Sequence, residues 1–291
     1  MLSLHTNAAS LSAQNSISNT QSKLSTSMTR LSTGFRINSA MDDAAGLQIA
    51  TRLKAQTSGM TVAMNNTQNS TSLLQTAEGA FAEVTNMLVR MKDLATQASD
   101  ASSTANDKTA MQAEYNALGQ ELYNVMTNTT FGGTKLLGDG SAAAAGTLST
   151  SMTFQIGASS TEKMSFDVSG NLTALNAALT GLSKNFSSAA STGATELTAT
   201  ANATIGLLAT AIDSVSTVRS ALGATANRLD HVNTNLSNIA TNTKAATGRI
   251  MDTDFATESS NMTSSQMLLQ AGTAMLKQSN SMSSMVMSLL Q

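Results

Sequence analysis

A stripe of apolar residues at helical spacing constrains this chain more than any other feature. From Leu74 to Ala98, apolar or small side chains recur at alternating intervals of three and four residues without a break. Such a period places every member on one narrow face of an α-helix, the pattern of a helix that packs lengthwise against another helix. The pattern reaches back to Met60, so we predict a helix over residues 60–98, roughly 58 Å long. The stripe consists of Leu74, Ala77, Phe81, Val84, Leu88, Met91, Ala95 and Ala98.

Four other segments carry related patterns and predict a mainly α fold, in which long antiparallel helices form a coiled-coil-like rod. The chain contains no proline, which permits long uninterrupted helices. The main run begins at about residue 44, a shorter helix spans 111–125, and a third long seam spans 205–240. Helical patterns also occupy 1–40 and 262–290. The first of these is rich in Ser, Thr, Asn and Gln, weak helix formers, so we expect it to be ordered only against a partner.

Two short segments interrupt the helical patterns near the chain ends. In NSAMDDAAG, residues 38–46, either Asp42 or Asp43 can cap the helix that follows. Residues 243–253 contain Gly248 and Asp252 and predict a second hinge. The chain is thus organised symmetrically, from terminal helix through hinge to long seam at both ends.

The middle of the chain carries the only β signal. Apolar and polar residues alternate on both sides of GASSTEK, which predicts a β-hairpin at about 152–168. Residues 169–203 are rich in Ser, Thr, Ala and Asn, and we expect them to form a short, exposed, variable insert. In the third seam, Arg219 occupies a stripe position, where a polar residue can fix the register of paired helices.

Composition excludes several classes of function. The net charge is −2 and Lys and Arg form no cluster, so nucleic acid is not an expected partner. No apolar run approaches about 18 residues, so no transmembrane helix and no membrane partner are expected. The amino end lacks the charged and apolar regions of a general secretory signal peptide. His5 and His231 have no neighbouring ligands that complete a metal site. No catalytic constellation or phosphate loop is present, so neither enzyme activity nor a cofactor is expected.

The carboxy-terminal helix carries two adjacent apolar stripes that together make a wide Leu/Met face. Exposed, such a face is a surface for association. Eighteen methionines could act in redox sensing, but at helical spacing adaptable core packing is the favoured interpretation. We therefore predict a subunit that polymerises through both chain ends. The residues predicted to form the assembled core are Leu4, Leu11, Leu24, Met28, Leu31, Phe35, Leu268, Leu269, Met275, Leu276, Met282, Val286, Leu289 and Leu290.

Two long motifs resemble those of the bacterial flagellins. LSTGFRINSAMDDAAGLQIATRL, residues 31–53, is similar to the amino-terminal signature of the family, and residues 226–278 are similar to the carboxy-terminal one. The resemblance implies a structural subunit of the flagellar filament, used in motility, with an inner domain of paired terminal helices at 1–43 and 247–291. An outer helical domain would span 44–246. The short insert indicates that the large outer β domains of some flagellins are absent.

The resemblance also implies partners and a location. Flagellins leave the cell through the flagellar secretion apparatus without a cleaved signal peptide and become part of an extracellular filament. Expected partners are further copies of the chain, an export chaperone on the carboxy-terminal helix, and the filament cap and hook-junction proteins. Flagellins that activate the animal flagellin-sensing Toll-like receptor carry an Arg, a Leu and a Glu that match Arg90, Leu94 and Glu114. Ordinary contacts between subunits are the expected primary role of these three residues, and receptor recognition is the alternative.

Two other functions fit parts of the pattern. A hook–filament junction protein is a flagellin relative of similar length, and self-polymerisation would separate the two. A signalling coiled-coil rod shares the Ala, Ser and Gln content. It would require a membrane anchor and a compact hairpin tip with methylatable Glu/Gln pairs, and neither is expected from this sequence.

Overall fold

The computed structural model of the protein describes residues 7–138, 145–189 and 193–289, without the side chains of residues 283–289. The described chain is mainly α-helical, as predicted, with short antiparallel strand pairs. The helices are α1 (Ala8–Thr33), α2 (Ala44–Ser99), α3 (Ala105–Asn128), α4 (Ser169–Leu182), α5 (Ala201–Met251) and α6 (Phe255–Leu289). The strands are β1 (Thr130–Phe131), β2 (Thr134–Lys135), β3 (Met152–Gln155) and β4 (Lys163–Phe166), and a 3-10 turn spans Thr147–Ser149.

The chain divides into two compact units. Unit 1 comprises Met1–Thr57 and Thr241–Gln291, and unit 2 comprises Ser58–Ala240. In unit 2, every member of the predicted Leu74–Ala98 stripe is buried, which confirms the long helix inferred from its spacing. The same core contains Leu208, Val215, Leu222 and Leu229 of α5. The heptad pattern therefore identified the principal packing seam of this unit.

Arg219 fixes the register of α2 against α5. Its Nε and Nη2 atoms each lie 2.8 Å from Oε1 of Glu78 on α2, and its Nη1 lies 3.4 Å from the Thr85 hydroxyl. On the same two helices, Met60 and Ala63 pack against Leu236. Early residues of α2 thus meet late residues of α5, so the two helices are antiparallel within this unit.

The helix predicted at 111–125 is confirmed as α3, which contributes Met111, Tyr115 and Leu122 to the core that contains the α2 stripe. It begins with a capping box, in which Thr104 and Asp107 each accept a hydrogen bond from the other's backbone N–H. Tyr115 is fully buried, and its hydroxyl donates to the carbonyl of Leu182, 3.0 Å away. Burial raises the pKa of Tyr115 well above its usual range, so the hydroxyl stays protonated.

The expectation that residues 169–203 are exposed is wrong for much of this segment. Its first part forms α4, whose leucines are at most 1% exposed and belong to the core of unit 2. Intervals of three, four and three residues place them on one helix face, a signal that the abundant Ser, Thr and Asn residues obscure. These residues are Leu172, Leu175, Leu179 and Leu182.

The predicted hairpin at 152–168 is confirmed as the antiparallel pair β3–β4. Phe154 pairs with Met164, and the Phe154 ring stacks on Phe166 with centroids 6.3 Å apart. These side chains are buried against the helices, which gives a two-stranded hairpin the support it lacks alone. The smaller pair β1–β2 lies outside the one β signal of the sequence. Its turn uses two glycines, Gly132 and Gly133, with positive φ.

In unit 1, a glycine ends α1 and an aspartate caps the start of α2. Gly34 ends α1 in the left-handed conformation, with φ of 76°. Asp43 caps α2 by accepting a hydrogen bond from the Gly46 N–H at 2.9 Å. Asp42 instead closes the preceding loop, where its carboxylate accepts from the backbone of Asn38 and the backbone and hydroxyl of Ser39. These hydrogen bonds lower the pKa of Asp42.

The hinge predicted at 243–253 is wrong over most of its length. Because α5 continues to Met251, Gly248 lies inside a helix, and the break is confined to the residues between α5 and Phe255. Arg36 satisfies the carbonyl groups at the end of α5: its backbone N–H donates to Met251 at 2.6 Å and its Nη2 to Ile250 at 2.8 Å. A single glycine is tolerated in a helix interior at modest cost, so it is a weak signal for a break.

One described helix, α5, has an 18-residue window of mean hydropathy 1.2, long and apolar enough to cross a membrane by length and composition alone. This differs from the expectation of no such segment. Within unit 2, Leu208, Val215, Leu222 and Leu229 of α5 are buried and pack in the core.

Candidate assembly surface

The helices α1 and α6 of unit 1 pack against each other in antiparallel orientation. The Asn7 amide donates to the backbone carbonyl and the hydroxyl of Ser279, at 3.2 and 3.1 Å. Near the other end, Arg30 lies 3.7 Å from Glu258. The pairing therefore joins the amino-terminal and carboxy-terminal helices, as the family resemblance implies.

Small and polar residues alternate with apolar ones along this contact, which we call the paired seam. In both helices, its members recur at intervals of three and four residues and are buried or half-buried. A Cβ added at Gly272 would lie only 2.9 Å from Cγ1 of Ile17, so the helices approach closely there. The seam comprises Ser10, Ala13, Ile17, Thr20, Leu24, Ser27 and Leu31 of α1, and Glu258, Met262, Ser265, Leu269, Gly272, Leu276 and Ser279 of α6.

The paired seam buries few large side chains completely. Among the side chains that the structure describes, Ser27 is the one buried on α1, and Glu258 and Ser265 are the two buried on α6. Because burial of apolar surface is the main stabilising term in folding, this pair gains much less from its own contact than the core of unit 2 does.

A second apolar stripe on α6 is not covered by the part of unit 1 that the structure describes. Leu268, Met275 and Met282 follow one another at intervals of seven residues, one position before the seam residues Leu269 and Leu276. Their exposed fractions are 62%, 68% and 53%. We call these three residues the outer stripe. Large apolar side chains exposed in a row are typical of a surface that contacts another molecule.

The predicted assembly residues fall into three groups. Leu24, Leu31, Leu269 and Leu276 lie in the paired seam. Leu11, Met28, Phe35, Leu268, Met275 and Met282 are exposed apolar residues. Leu4 and Leu290 lie outside the described residues, and the side chains of Val286 and Leu289 are likewise not described.

Sequence reasoning missed the small members of the seam. Ser27 and Ser265 are more buried than any of the predicted assembly residues that the structure describes, and Gly272 lies where the two helices come close together. Hydropathy gives no signal at such positions. Their spacing from Leu24, Leu269 and Leu276 could have identified them, because they continue the same alternation of three and four.

The second predicted surface, on unit 2, needs one correction. Arg90 and Glu114 form an exposed ion pair, with the Arg90 Nε and Nη2 atoms 2.8 and 2.7 Å from Oε1 of Glu114. Leu94, in contrast, is only 2% exposed, because its side chain packs in the core with the α2 stripe. Leu94 is therefore not part of that surface.

The ionisable groups near the seam serve the helix ends. Asp254 precedes α6, and its carboxylate accepts hydrogen bonds from the Thr257 hydroxyl and the Ala256 N–H, which lowers the pKa of Asp254. Across the described ranges, no group of three or more His, Cys, Asp or Glu side chains is placed to hold a metal ion. His231 is an exposed residue of α5, and His5 lies outside the described residues.

Long helices, together with terminal helices that pair and expose a regular apolar stripe, are typical of a helical structural protein. Comparison with known proteins gives the family. The model of the bacterial flagellin N-terminal helical region matches residues 4–143, and that of the C-terminal helical region matches residues 205–290. This chain belongs to the bacterial flagellin family and is a structural subunit of the extracellular flagellar filament.

Individual relatives align with this chain over nearly the whole of their own length. The chain is 33% identical to flagellin A of Vibrio anguillarum, with 100% of both chains covered. It is 35% identical to a flagellin of Bacillus subtilis, with 98% of both covered. A solved flagellin from Bacillus cereus is 29% identical, with 63% of this chain and 94% of that one covered and a TM-score of 0.48. A structure assigned as a flagellar hook-associated protein of Vibrio parahaemolyticus is 16% identical, with 72% and 100% covered and a TM-score of 0.55, and shares the fold.

Proposed function

We propose that the terminal helix pair, within residues 1–43 and 247–291, forms the inner core of the filament, and that residues 44–246 form its outer domain. The observation that carries this proposal is the outer stripe, whose three members remain more than half exposed, whereas Leu269 and Leu276, one position after Leu268 and Met275, lie in the seam. Neighbouring subunits would cover this stripe. The exposed residues Leu11, Met28 and Phe35 of the amino-terminal segment would take part in the same contacts.

The structure supplies a reason for assembly to be favourable. Full burial of a Leu or Met side chain contributes about 1.5–3 kcal/mol. Leu268 and Met275 are roughly two-thirds exposed, so each would add about 1–2 kcal/mol when a neighbour covers it. The contact joins two different surfaces of successive copies, so it does not close on itself and extends as a helical polymer.

The test of this proposal is the critical concentration for elongation of sheared filament seeds, with electron microscopy of the products. Substitution Leu268→Ala removes most of an exposed side chain, so the folded monomer should keep its thermal midpoint. The loss of about 1–2 kcal/mol in the filament should raise the critical concentration about 5- to 30-fold. Gln270→Ala, at an exposed polar position of the same helix, is the matched control and should elongate like the unaltered chain. Equal critical concentrations for both variants would refute the proposal.

The same experiment separates a filament subunit from a hook–filament junction protein. Long uniform tubes from purified chain alone are expected of a self-sufficient subunit. A folded monomer that caps seeds without elongating them would favour the junction protein.

The export chaperone is proposed to cover the outer stripe before assembly, since an unassembled α6 otherwise exposes it to water. Passage through the flagellar secretion apparatus, without a cleaved signal peptide, follows from the family resemblance. Contacts with the filament cap and hook-junction proteins would use the same terminal helices. A chaperone complex should be weakened by Leu268→Ala and unaffected by Gln270→Ala, and equal affinities would contradict this assignment.

The ion pair of Arg90 and Glu114 is proposed as the part of unit 2 that an animal flagellin-sensing Toll-like receptor would recognise. Both side chains are about half exposed, whereas buried Leu94 would act only by supporting α2. Receptor-reporter cells exposed to monomer should respond less to Arg90→Ala than to the unaltered chain. An unchanged response would leave these residues with subunit contacts alone.

A further inference from the structure

We infer that the exposed methionines of α1 and α6 are sites of sulfoxidation by peroxides, and that their oxidation arrests filament assembly. Met28, Met267, Met275 and Met282 are 49%, 60%, 68% and 53% exposed. The chain contains no cysteine, so thioethers are its only oxidisable sulfur groups. The inference rests on the proposed function, because it assigns a chemical control to the assembly surface.

Other methionines of the same chain provide internal references. Met60, Met91, Met126 and Met164 are at most 5% exposed and pack in the cores of unit 2. Access to the sulfur governs the rate of thioether oxidation, so oxidant should distinguish these two groups. The exposed group is concentrated on the terminal helices, where polymerisation is proposed to occur, which is why its oxidation would have a specific effect.

The reaction is a two-electron oxygen transfer. A lone pair on the methionine sulfur attacks one oxygen of hydrogen peroxide, the S–O bond forms, and the O–O bond breaks. The peroxide is reduced by the two electrons that the sulfur loses. The departing hydroxide takes up the proton from the transferred oxygen and leaves as water. The product is a sulfoxide, which methionine sulfoxide reductases return to the thioether.

The change in polarity opposes burial. A sulfoxide oxygen is a hydrogen-bond acceptor, and its transfer into an apolar contact without a donor is unfavourable. Met275 and Met282 make up two of the three residues of the outer stripe. Oxidation therefore makes the outer stripe polar, so water solvates it well in the free monomer and its burial in the filament becomes less favourable.

The experiment treats full-length monomer with hydrogen peroxide and maps sulfoxide at each methionine by peptide mass spectrometry. Elongation of sheared seeds is then measured. The four exposed methionines should oxidise before the four buried ones, and the critical concentration should rise about tenfold or more. Treatment with methionine sulfoxide reductases should restore it. Faster oxidation of the buried group, or normal elongation of fully oxidised monomer, would overturn the inference.

Two variants make the test specific. The quadruple variant Met28→Leu, Met267→Leu, Met275→Leu and Met282→Leu keeps the surface apolar and cannot be oxidised at these positions, so peroxide should leave its own critical concentration unchanged. Met41→Leu removes the most exposed methionine, at 96%, which lies in the loop before α2, and should stay peroxide-sensitive. A quadruple variant that remains sensitive would overturn the inference. If Leu268→Ala raises the critical concentration but oxidation does not, the inference fails and the assembly surface stands; if neither does, the assembly surface itself fails.

Discussion

The close approach of α1 and α6 at Gly272 gives a quantitative prediction about the paired seam. In Gly272→Ala, the new Cβ would lie 2.9 Å from Cγ1 and 3.5 Å from Cδ1 of Ile17. Overpacking of this kind costs about 1–3 kcal/mol, and the better helix propensity of alanine returns about 1 kcal/mol. The paired helices should therefore become less stable by about 0–2 kcal/mol.

The overpacking cost can be isolated with Ile17→Ala. That substitution removes the atoms that the new methyl group meets, so Gly272→Ala in its background should stabilise the pair by about 1 kcal/mol. The coupling energy between the two positions is then about 1–3 kcal/mol. Native-state hydrogen exchange of α1 and α6 amides measures the opening free energy of the pair for all four proteins. If the free-energy changes of the two single variants add to that of the double variant within about 0.5 kcal/mol, the two side chains do not clash and the prediction is refuted.

Three further predictions concern single interactions. Tyr115→Phe should lower the unfolding free energy of unit 2 by about 1–3 kcal/mol, measured by urea denaturation, because it leaves the last carbonyl of α4 without its buried donor; no change would mean that water replaces the hydroxyl. Arg90→Ala should change stability by less than about 1 kcal/mol, because its pair with Glu114 is exposed, and a larger loss in the same assay would contradict that. Hydrogen bonds lower the pKa of Asp254, so its stabilising effect on α6 is complete above about pH 4 and lost as the pH falls further. Asp254→Asn or Thr257→Ala should therefore weaken the dependence of α6 amide exchange on acid pH. An unchanged dependence would mean that other carboxylates cause it.

The long seam of unit 2 could be predicted because its burial depends on residues of one helix at a fixed period. Leu74 through Ala98 are apolar or small at every stripe position, so hydropathy and spacing agree. The β3–β4 hairpin was equally clear, since its alternation is strict on both strands. For Arg219, the sequence predicts a polar residue in the stripe but not its partner Glu78, because the choice of partner depends on the register between two distant segments.

The errors have different physical causes. Gly248 suggested a break, but a helix tolerates one glycine when the neighbouring turns are well formed. The leucines of α4 are few and set among polar residues, so composition concealed a short buried helix. At the terminal pair, serine and glycine permit close contact by being small rather than apolar, and only the three-dimensional structure distinguishes Leu276 in the seam from exposed Met275 beside it.

The pairing of Asn7 with Ser279 has a consequence for biosynthesis. These residues are separated by 272 positions in the chain, so α1, which is synthesised before α6, cannot form this contact until α6 has also been made. During translation, α1 therefore has no native partner, although the contacts within unit 2 can already be made from finished sequence. The Ser, Thr, Asn and Gln residues of α1 reduce the risk during this interval, because a more apolar α1 would expose a larger surface for association with other nascent chains.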